Sequence, residues 1–162
     1  MNHFKKPKIA IITRTKNRPL FLKRAIESVL RQNYENYCHV IINDGGDPDE
    51  FCKIISAANN KNIIAISNSQ SLGMEAASNI AIQNTDSDYI AMLDDDDTWE
   101  ANFLTRTIGF LEKDPAAMGV STESNIIYES IINKNIRVVH SQKKNSHKNG
   151  ISFFEMMKNN TI

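Results

Sequence analysis

Asp94, Asp95, Asp96 and Asp97 are four successive residues directly behind the apolar run Tyr89 to Leu93. Adjacent carboxylates repel one another and destabilise a fold unless something offsets their charge. A bound cation does so. Hard cations such as Mg²⁺ or Mn²⁺ take carboxylate oxygens and keep positions open for substrate phosphates. The same four residues also suit a solvated acidic loop capping the next helix, since aspartate caps helix N-termini and complements the helix dipole. The apolar run before them and Trp99 just behind them favour a cation site. A calcium loop of the EF-hand kind is excluded, because its sixth position needs glycine and its twelfth glutamate, and counting from Asp94 those positions hold Trp99 and Thr105.

Three other segments carry polar groups that suit a ligand. In Asn43-Asp44-Gly45-Gly46-Asp47 the glycines permit a tight turn and close ligand approach. Asp44 can accept hydrogen bonds from a base or a ribose, and a plain strand-to-helix turn is the equal alternative. In Thr13-Arg14-Thr15-Lys16-Asn17-Arg18-Pro19 the amides and basic side chains suit a diphosphate or a nucleoside. That segment lacks the Gly-x-Gly-x-x-Gly of dinucleotide folds and the Gly-Lys-Ser/Thr of phosphate loops, and a solvent-facing polar loop is its other reading. In the stretch from Asn68 to Asn79, Gly73 leads into a small-residue helix. Ala76, Ala77 and Ala81 suit the core, while Asn79 suits either core or site. His39 reads as a packed or surface histidine, and His140 and His147 fall in a basic stretch that reads as a surface loop. No Ser/His/Asp or Cys/His grouping follows from spacing.

The elements that must position these residues alternate along the chain. Ile9 to Ile12, Val40 to Ile42, Ile63 to Ile66 and Tyr89 to Leu93 are short apolar strand-like runs. Between them, Leu22, Ala25, Ile26, Val29 and Leu30 recur at helical spacing behind Pro19, which suits a helix start. A short helix is predicted over 49–58, a third helix enters at Gly73, and a fourth runs through Phe103, Leu104, Thr107, Ile108 and Leu111 with Pro115 past its end. Repeated strand–helix units with apolar strands imply a parallel sheet covered on both faces. Ligands bind such sheets at the carboxyl ends of strands. Three of those ends carry the polar clusters Thr13 to Asn17, Asn43 to Asp47 and Asp94 to Asp97. Beyond residue 118 the alternation weakens. Ile126 to Ile132 and Ile136 to Val139 read as two antiparallel strands around Asn133 to Asn135, and a short helix is predicted from Ile151 to Lys158.

The chain of 162 residues suits one domain or a large piece of one. Nineteen basic residues balance nineteen acidic ones, so bulk charge predicts neither a nucleic-acid nor a membrane partner. Cys38 and Cys52 fit no zinc pattern and read as buried thiols in a reducing compartment. No apolar run approaches the ~20 residues of a membrane span, and Ile9 to Ile12 behind Lys5, Lys6 and Lys8 is too short for a signal peptide. A cytoplasmic protein is expected, with no nucleic-acid partner.

Taken in order, these segments resemble family-2 glycosyltransferases of the GT-A fold, from about Lys8 to Ile162. "IAIITRTKNRPLFLKRAIESVLRQNYENY" is similar to the family's first strand, loop and helix, and "HVIINDGG" to its second strand with a terminal aspartate. "SLGMEAASNIAI" is similar to its Gly-to-Asn helix, and "DYIAMLDDDDTW" to its Asp-x-Asp metal motif with a trailing Trp. The resemblance implies a Rossmann-like three-layer α/β sandwich with a mostly parallel sheet. In that reading 1–117 forms the nucleotide-sugar-binding part and 118–162 the start of the acceptor side of one incomplete domain.

The resemblance also assigns roles. Asp44 would contact the base, with Gly45 beside it. Thr13, Arg14, Thr15 and Asn17 would flank the nucleoside, and Gly73 and Asn79 would line the donor site. Asp94 and Asp95 would lie near ribose and diphosphate. Asp96 would be the direct ligand of Mn²⁺ or Mg²⁺, with Asp94 as a second. The donor would be a nucleoside-diphosphate sugar, a UDP-sugar first, and the acceptor a saccharide or a lipid-linked acceptor in polysaccharide biosynthesis, with inversion. The setting would be cytoplasmic, extending to the inner membrane face.

Three departures from the family stand out. The usual Asp-Ala-Asp-Asp is four aspartates here, Ser78 replaces an arginine common before the helix asparagine, and the chain stops where the acceptor half would begin. The general base is therefore expected beyond Ile162, the chain is expected to transfer sugar poorly, and uncovered apolar surface is expected to favour a homo-oligomer. A non-catalytic nucleotide-binding module is the alternative. A receiver-like phosphotransfer domain is disfavoured because Thr13, Arg14 and Thr15 stand where it needs acids.

Overall fold

The computed structural model describes residues 6–133 and 135–144. These fall into two compact units, one ending at Asp114 and one beginning at Pro115. In the first unit strands and helices alternate: β1 (Ile9–Thr15), α1 (Pro19–Leu30), β2 (Tyr37–Asp44), α2 (Pro48–Ala58), β3 (Ile63–Asn68), α3 (Met74–Gln83), β4 (Tyr89–Met92) and α4 (Phe103–Lys113). The four strands form one parallel sheet in the order β3-β2-β1-β4. Because β1 lies between β2 and β4, the polar ends of all three open at one edge of the sheet.

Side-chain alternation along β1 and β2 divides the core into two faces. Ile9, Ile11 and Ile41 pack with Ala25 and Val29 or Leu22 and Ile26 of α1, with Phe51 and Ile54 of α2, and with Leu104 and Ile108 of α4. Ala10, Ile12, Val40 and Ile42 pack with Ala77 and Ala81 of α3. The result is a three-layer α/β/α arrangement around a parallel sheet. The two central strands are buried throughout except for a half-buried Arg14.

Coverage of the edge strands is thinner than the sequence pattern implied. Among the described residues the face carrying Ala10 and Ile12 packs against α3 alone, and Ile64 on β3 and Ile90 and Met92 on β4 are exposed. Ala76 is also exposed, because the α3 stripe that meets the sheet runs through Ala77 and Ala81. Of the two thiols expected inside, Cys38 is buried and Cys52 is exposed; Phe51 and Ile54 are the α2 residues turned to the sheet.

Local chemistry explains the helix starts. Pro19 and Pro48 open α1 and α2, where a proline's fixed φ and missing N–H cost nothing. Asp47 caps α2 by accepting the amides of Asp49 and Glu50 at 2.9 and 3.1 Å.

The second unit contains an antiparallel hairpin of β5 (Ser124–Ile132) and β6 (Asn135–Lys144), with a bulge at Tyr128/Glu129; β5 starts earlier than predicted and ends where predicted, and β6 is longer at both ends. His140, expected in a loop, sits in β6, its ring centroid 5.8 Å from that of Tyr128. Lys143 of the basic stretch pairs with Glu123. His147, Lys148 and the helix predicted over Ile151 to Lys158 lie outside the described residues.

Candidate donor-binding site

The acidic turn is fixed from behind before it meets any ligand. Leu93 continues the β4 direction, its amide donating to Ile12 O at 2.9 Å, and its side chain is buried in the core. The chain then turns, with Asp97 N donating to Asp94 O at 3.1 Å. Trp99 stacks on Phe103 at 4.1 Å between ring centroids, and both pack on the core. Gln32, past the end of α1, donates to Glu100 O at 2.8 Å and accepts from Leu104 N at 3.0 Å. Trp99 is thus an anchor for the segment that follows the aspartates.

The β1–α1 loop meets this turn with a set of cationic and hydroxyl donors. Thr15 donates to Asp95 Oδ2 at 2.7 Å, and Arg18 Nη1 donates to Asp95 Oδ1 at 2.7 Å. The same Nη1 lies 3.0 Å from Asp96 Oδ2. Arg14 pairs with Asp94, and Arg24 of α1 donates to the Asp96 carbonyl at 2.6 Å. Asp95 is 4% exposed, with both carboxylate oxygens engaged by the protein. The side chains of Asp94 and Asp96 are 54% and 45% exposed. The expected repulsion is therefore offset in part by arginines. It persists at Asp97, whose carboxyl is raised by loss of water around it and then by the charges of Asp96 and Asp94.

Asp44 has a different environment. Its oxygens accept Asn68 Nδ2 at 2.9 Å, Ser71 Oγ at 2.8 Å, Leu72 N at 2.9 Å and Gly73 N at 3.0 Å. Burial opposes its ionisation, but the Leu72 amide, Asn68, Ser71 and the Gly73 amide together outweigh that and lower its pKa to about 2. Asp44 thus organises the β3–α3 loop. Gly45 lets that loop come close: at φ +75°, a Cβ there would lie 2.4 Å from Ser71 N and 2.6 Å from Gln70 C. Asn17, at φ 55°, joins the first two loops by accepting Asp47 N at 2.8 Å. Asn43 closes its own turn through Gly46, with its Oδ1 accepting Gly46 N at 2.9 Å.

Thr13 lies deeper, fully buried, its hydroxyl 2.9 Å from Nε2 of a His39 that is 1% exposed. Burial lowers the His39 pKa to about 3. Asn79 is on the exposed side of α3. Thr15, Arg14, Asp94 and Asp95 are therefore joined in one cluster and Asp44, Gly45 and Gly73 in another, with Asn17 tied to the second by the Asp47 amide. Arg18, Asn68 and Ser71 were missing from the expected site residues. Arg18 stands in the first basic loop, and Asn68 and Ser71 in the stretch from Asn68 to Asn79, so only their segments hinted at their part.

The profile described as glycosyl transferase family 2 matches residues 10–156. The chain belongs to glycosyl transferase family 2. Among relatives, it is 37% identical over 100 residues to WcaA of Escherichia coli K12, a glycosyl transferase assigned to colanic acid biosynthesis, covering 61% of this chain and 36% of WcaA. It is 36% identical over 87 residues to the Escherichia coli UDP-Glc:α-D-GlcNAc-diphosphoundecaprenol β-1,3-glucosyltransferase WfaP, covering 54% and 34%. Two solved structures share the fold. S. aureus TarS 1-349 in complex with UDP-GlcNAc matches at TM-score 0.61 and 19% identity, over 65% of this chain and 31% of that one. The Pyrobaculum calidifontis mannosyltransferase PcManGT in complex with GDP-Man and Mn²⁺ matches at TM-score 0.61 and 17% identity, over 69% and 34%. The architecture is the GT-A fold of this family, and the chain spans about a third of the length of each of these four proteins.

Proposed function

We infer that this chain is the donor-binding part of a glycosyltransferase that takes a nucleoside-diphosphate sugar together with Mn²⁺ or Mg²⁺. The observation that carries the reading is the pairing, at one edge of the sheet, of exposed Asp94 and Asp96 carboxylates with the basic β1–α1 loop. Among the described residues no group of three or more His, Cys, Asp or Glu side chains is gathered as a metal site. Two neighbouring hard-oxygen donors fit a cation that the protein holds only in part, the remaining positions going to substrate phosphates. The bound complexes of TarS with UDP-GlcNAc and of PcManGT with GDP-Man and Mn²⁺ support the same donor class.

In this reading Asp96, with Asp94, holds the cation, and Asp95 stays a structural carboxylate between Thr15 and Arg18. The bound cation supplies positive charge against a diphosphate leaving group that becomes more negative as the sugar bond breaks. Arg14 and Arg18 add cationic donors beside it. Asp44 shapes the wall next to the base by holding Leu72 and Gly73. Transfer with inversion needs a base for the acceptor hydroxyl. We assign that base to the portion of the relatives that this chain does not span.

A UDP-sugar donor and a saccharide or lipid-linked acceptor follow the names of the relatives. The setting in this reading is the cytoplasm, up to the inner face of a membrane. Among the described residues no helix is long and apolar enough to cross a membrane. Self-association of the chain is part of the reading, supported by exposed Ile90 and Met92 on β4 and Val138 and Val139 on β6.

The test is calorimetry with UDP and GDP, with and without Mn²⁺. Wild-type chain should bind one of them at least tenfold tighter with Mn²⁺, an increment of about 1.4 kcal/mol. Asp96→Ala should abolish the difference. Metal-dependent binding that survives in Asp96→Ala removes the ligand assignment.

A further inference from the structure

Arg18 Nη1 touches two carboxylates at once, Asp95 Oδ1 at 2.7 Å and Asp96 Oδ2 at 3.0 Å. One positively charged nitrogen therefore bridges oxygens of adjacent acidic residues, and one of the two, Asp96, is the carboxylate assigned above to the cation. Asp95 has a second anchor in Thr15 and stays in place if Arg18 departs. Arg18 itself is 49% exposed at the side chain and rests beside the Phe21 ring at 5.6 Å, a contact that does not enclose it. Its pair with Asp96 is exposed on both sides and is cheap to open, since such pairs contribute at most about 1 kcal/mol.

We propose that Arg18 is a built-in competitor for the divalent cation: with no donor bound it occupies the Asp96 oxygen, and it yields that oxygen when metal and nucleotide arrive together. The inference rests on the metal reading above and adds an order of events to it. A cation arriving alone must push Arg18 off Asp96 and then sit beside that positive charge with nothing to offset the repulsion. A cation arriving with a diphosphate offers the displaced guanidinium phosphate oxygens, which it can grip through two parallel N–H donors. Metal and nucleotide thus bind with positive coupling, and Arg18 is the positioning residue that creates it. The device keeps Mn²⁺ off the site until the donor is present.

The experiment compares wild type with Arg18→Gln, using Mn²⁺ alone, UDP alone and UDP with Mn²⁺ in calorimetry. Arg18→Gln should bind Mn²⁺ alone about tenfold tighter than wild type, and the Mn²⁺–UDP coupling should shrink by a similar factor. A second measurement uses the unmutated chain in case the variant folds poorly. Rotation of the Arg18 guanidinium, followed by ¹⁵N NMR, should change on saturation with Mg²⁺ and UDP and stay unchanged with Mg²⁺ alone. If Asp96-dependent Mn²⁺–UDP binding is present and Arg18→Gln gains nothing for Mn²⁺ alone, the competitor role is wrong and the metal site stands. If wild type shows no Mn²⁺ effect at all, the metal reading fails and takes this inference with it.

Discussion

Replacing Asp44 by alanine should cost the chain about 3 kcal/mol of stability and release the β3–α3 loop. The carboxylate accepts two backbone amides and two side-chain donors within 3.0 Å. Hydrogen bonds to a charged group are worth about 1.5–3 kcal/mol each, and donors stranded by removal of their acceptor add a desolvation cost. Part of that sum is regained as water reaches the opened loop, which is why the expected loss is smaller than the gross total. Amide hydrogen exchange gives the decisive reading. Leu72 and Gly73 should lose protection while Ile11 and Ile41 in the sheet keep theirs relative to global stability. Unchanged protection at Leu72 and Gly73 would show that the loop holds itself. Because Asp44 faces both the loop and the proposed base pocket, nucleotide affinity should fall in the same variant. Asp44→Asn should retain part of the stability but not the charge that draws the amides in.

The second large effect is acid lability set by His39. Burial holds its pKa at about 3, against 6.5 for a free histidine. Below pH 6.5 the unfolded chain takes up this proton and the folded chain does not, so stability is complete above pH 6.5 and drains away as the pH falls toward 3. Between about pH 7 and about pH 4 the loss should be about 3 kcal/mol. Asp44 adds a separate limb. Its folded pKa of about 2 lies below the ordinary 3.8, so its contribution is present above pH 3.8 and is lost from there downward. His39→Gln can still bond the Thr13 hydroxyl but cannot take a proton. Urea unfolding at about pH 7, 5.5 and 4 should give parallel curves for that variant and a steep decline for wild type. Equal declines in the two would assign the acid sensitivity elsewhere.

The elements that place the site were readable because their causes are local. Ile9 to Ile12 and Val40 to Ile42 have no polar position, which only doubly covered strands tolerate, and both proved central. Pro19 and Pro48 stand at helix starts for reasons of φ alone. The edge strands were harder to read. Met92 lies beside Ile12 of β1 and on the same face of the sheet, and it is just as apolar. Yet Ile12 is buried while Met92 and Ile90 are exposed, because among the described residues a single helix, α3, covers that face. Apolar type does not count helices. Cys52 and Ala76 have the same cause, since each sits one helical step away from the stripe that meets the sheet.

The site was legible in part. The acidic run and the two polar loops announced themselves by composition, and the parallel sheet brought their strand ends together. The partners were not legible. Arg18 and Asp95 are 77 residues apart, and Asp44 and Ser71 are 27 apart. No local period links such pairs, and a basic loop reads the same whether its arginines face phosphate or aspartate. Asp44 was expected to contact a base; what no local pattern foretold is that its carboxylate also accepts the chain's own Leu72 and Gly73 amides and the Asn68 and Ser71 side chains, a role that depends on how closely Gly45 admits the backbone at Gln70 and Ser71.

That close admission and the Asn17 bridge have a consequence for how the rim tolerates change. Asn17 fastens the first loop to the second, and Asp44 with Gly45 fastens the second to the third, so the three segments form one stitched seam. Energies at positions in contact do not sum independently. Paired substitutions at Asn17 and Asp44 should therefore cost less together than the two single costs combined, because the first cut already slackens what the second would loosen.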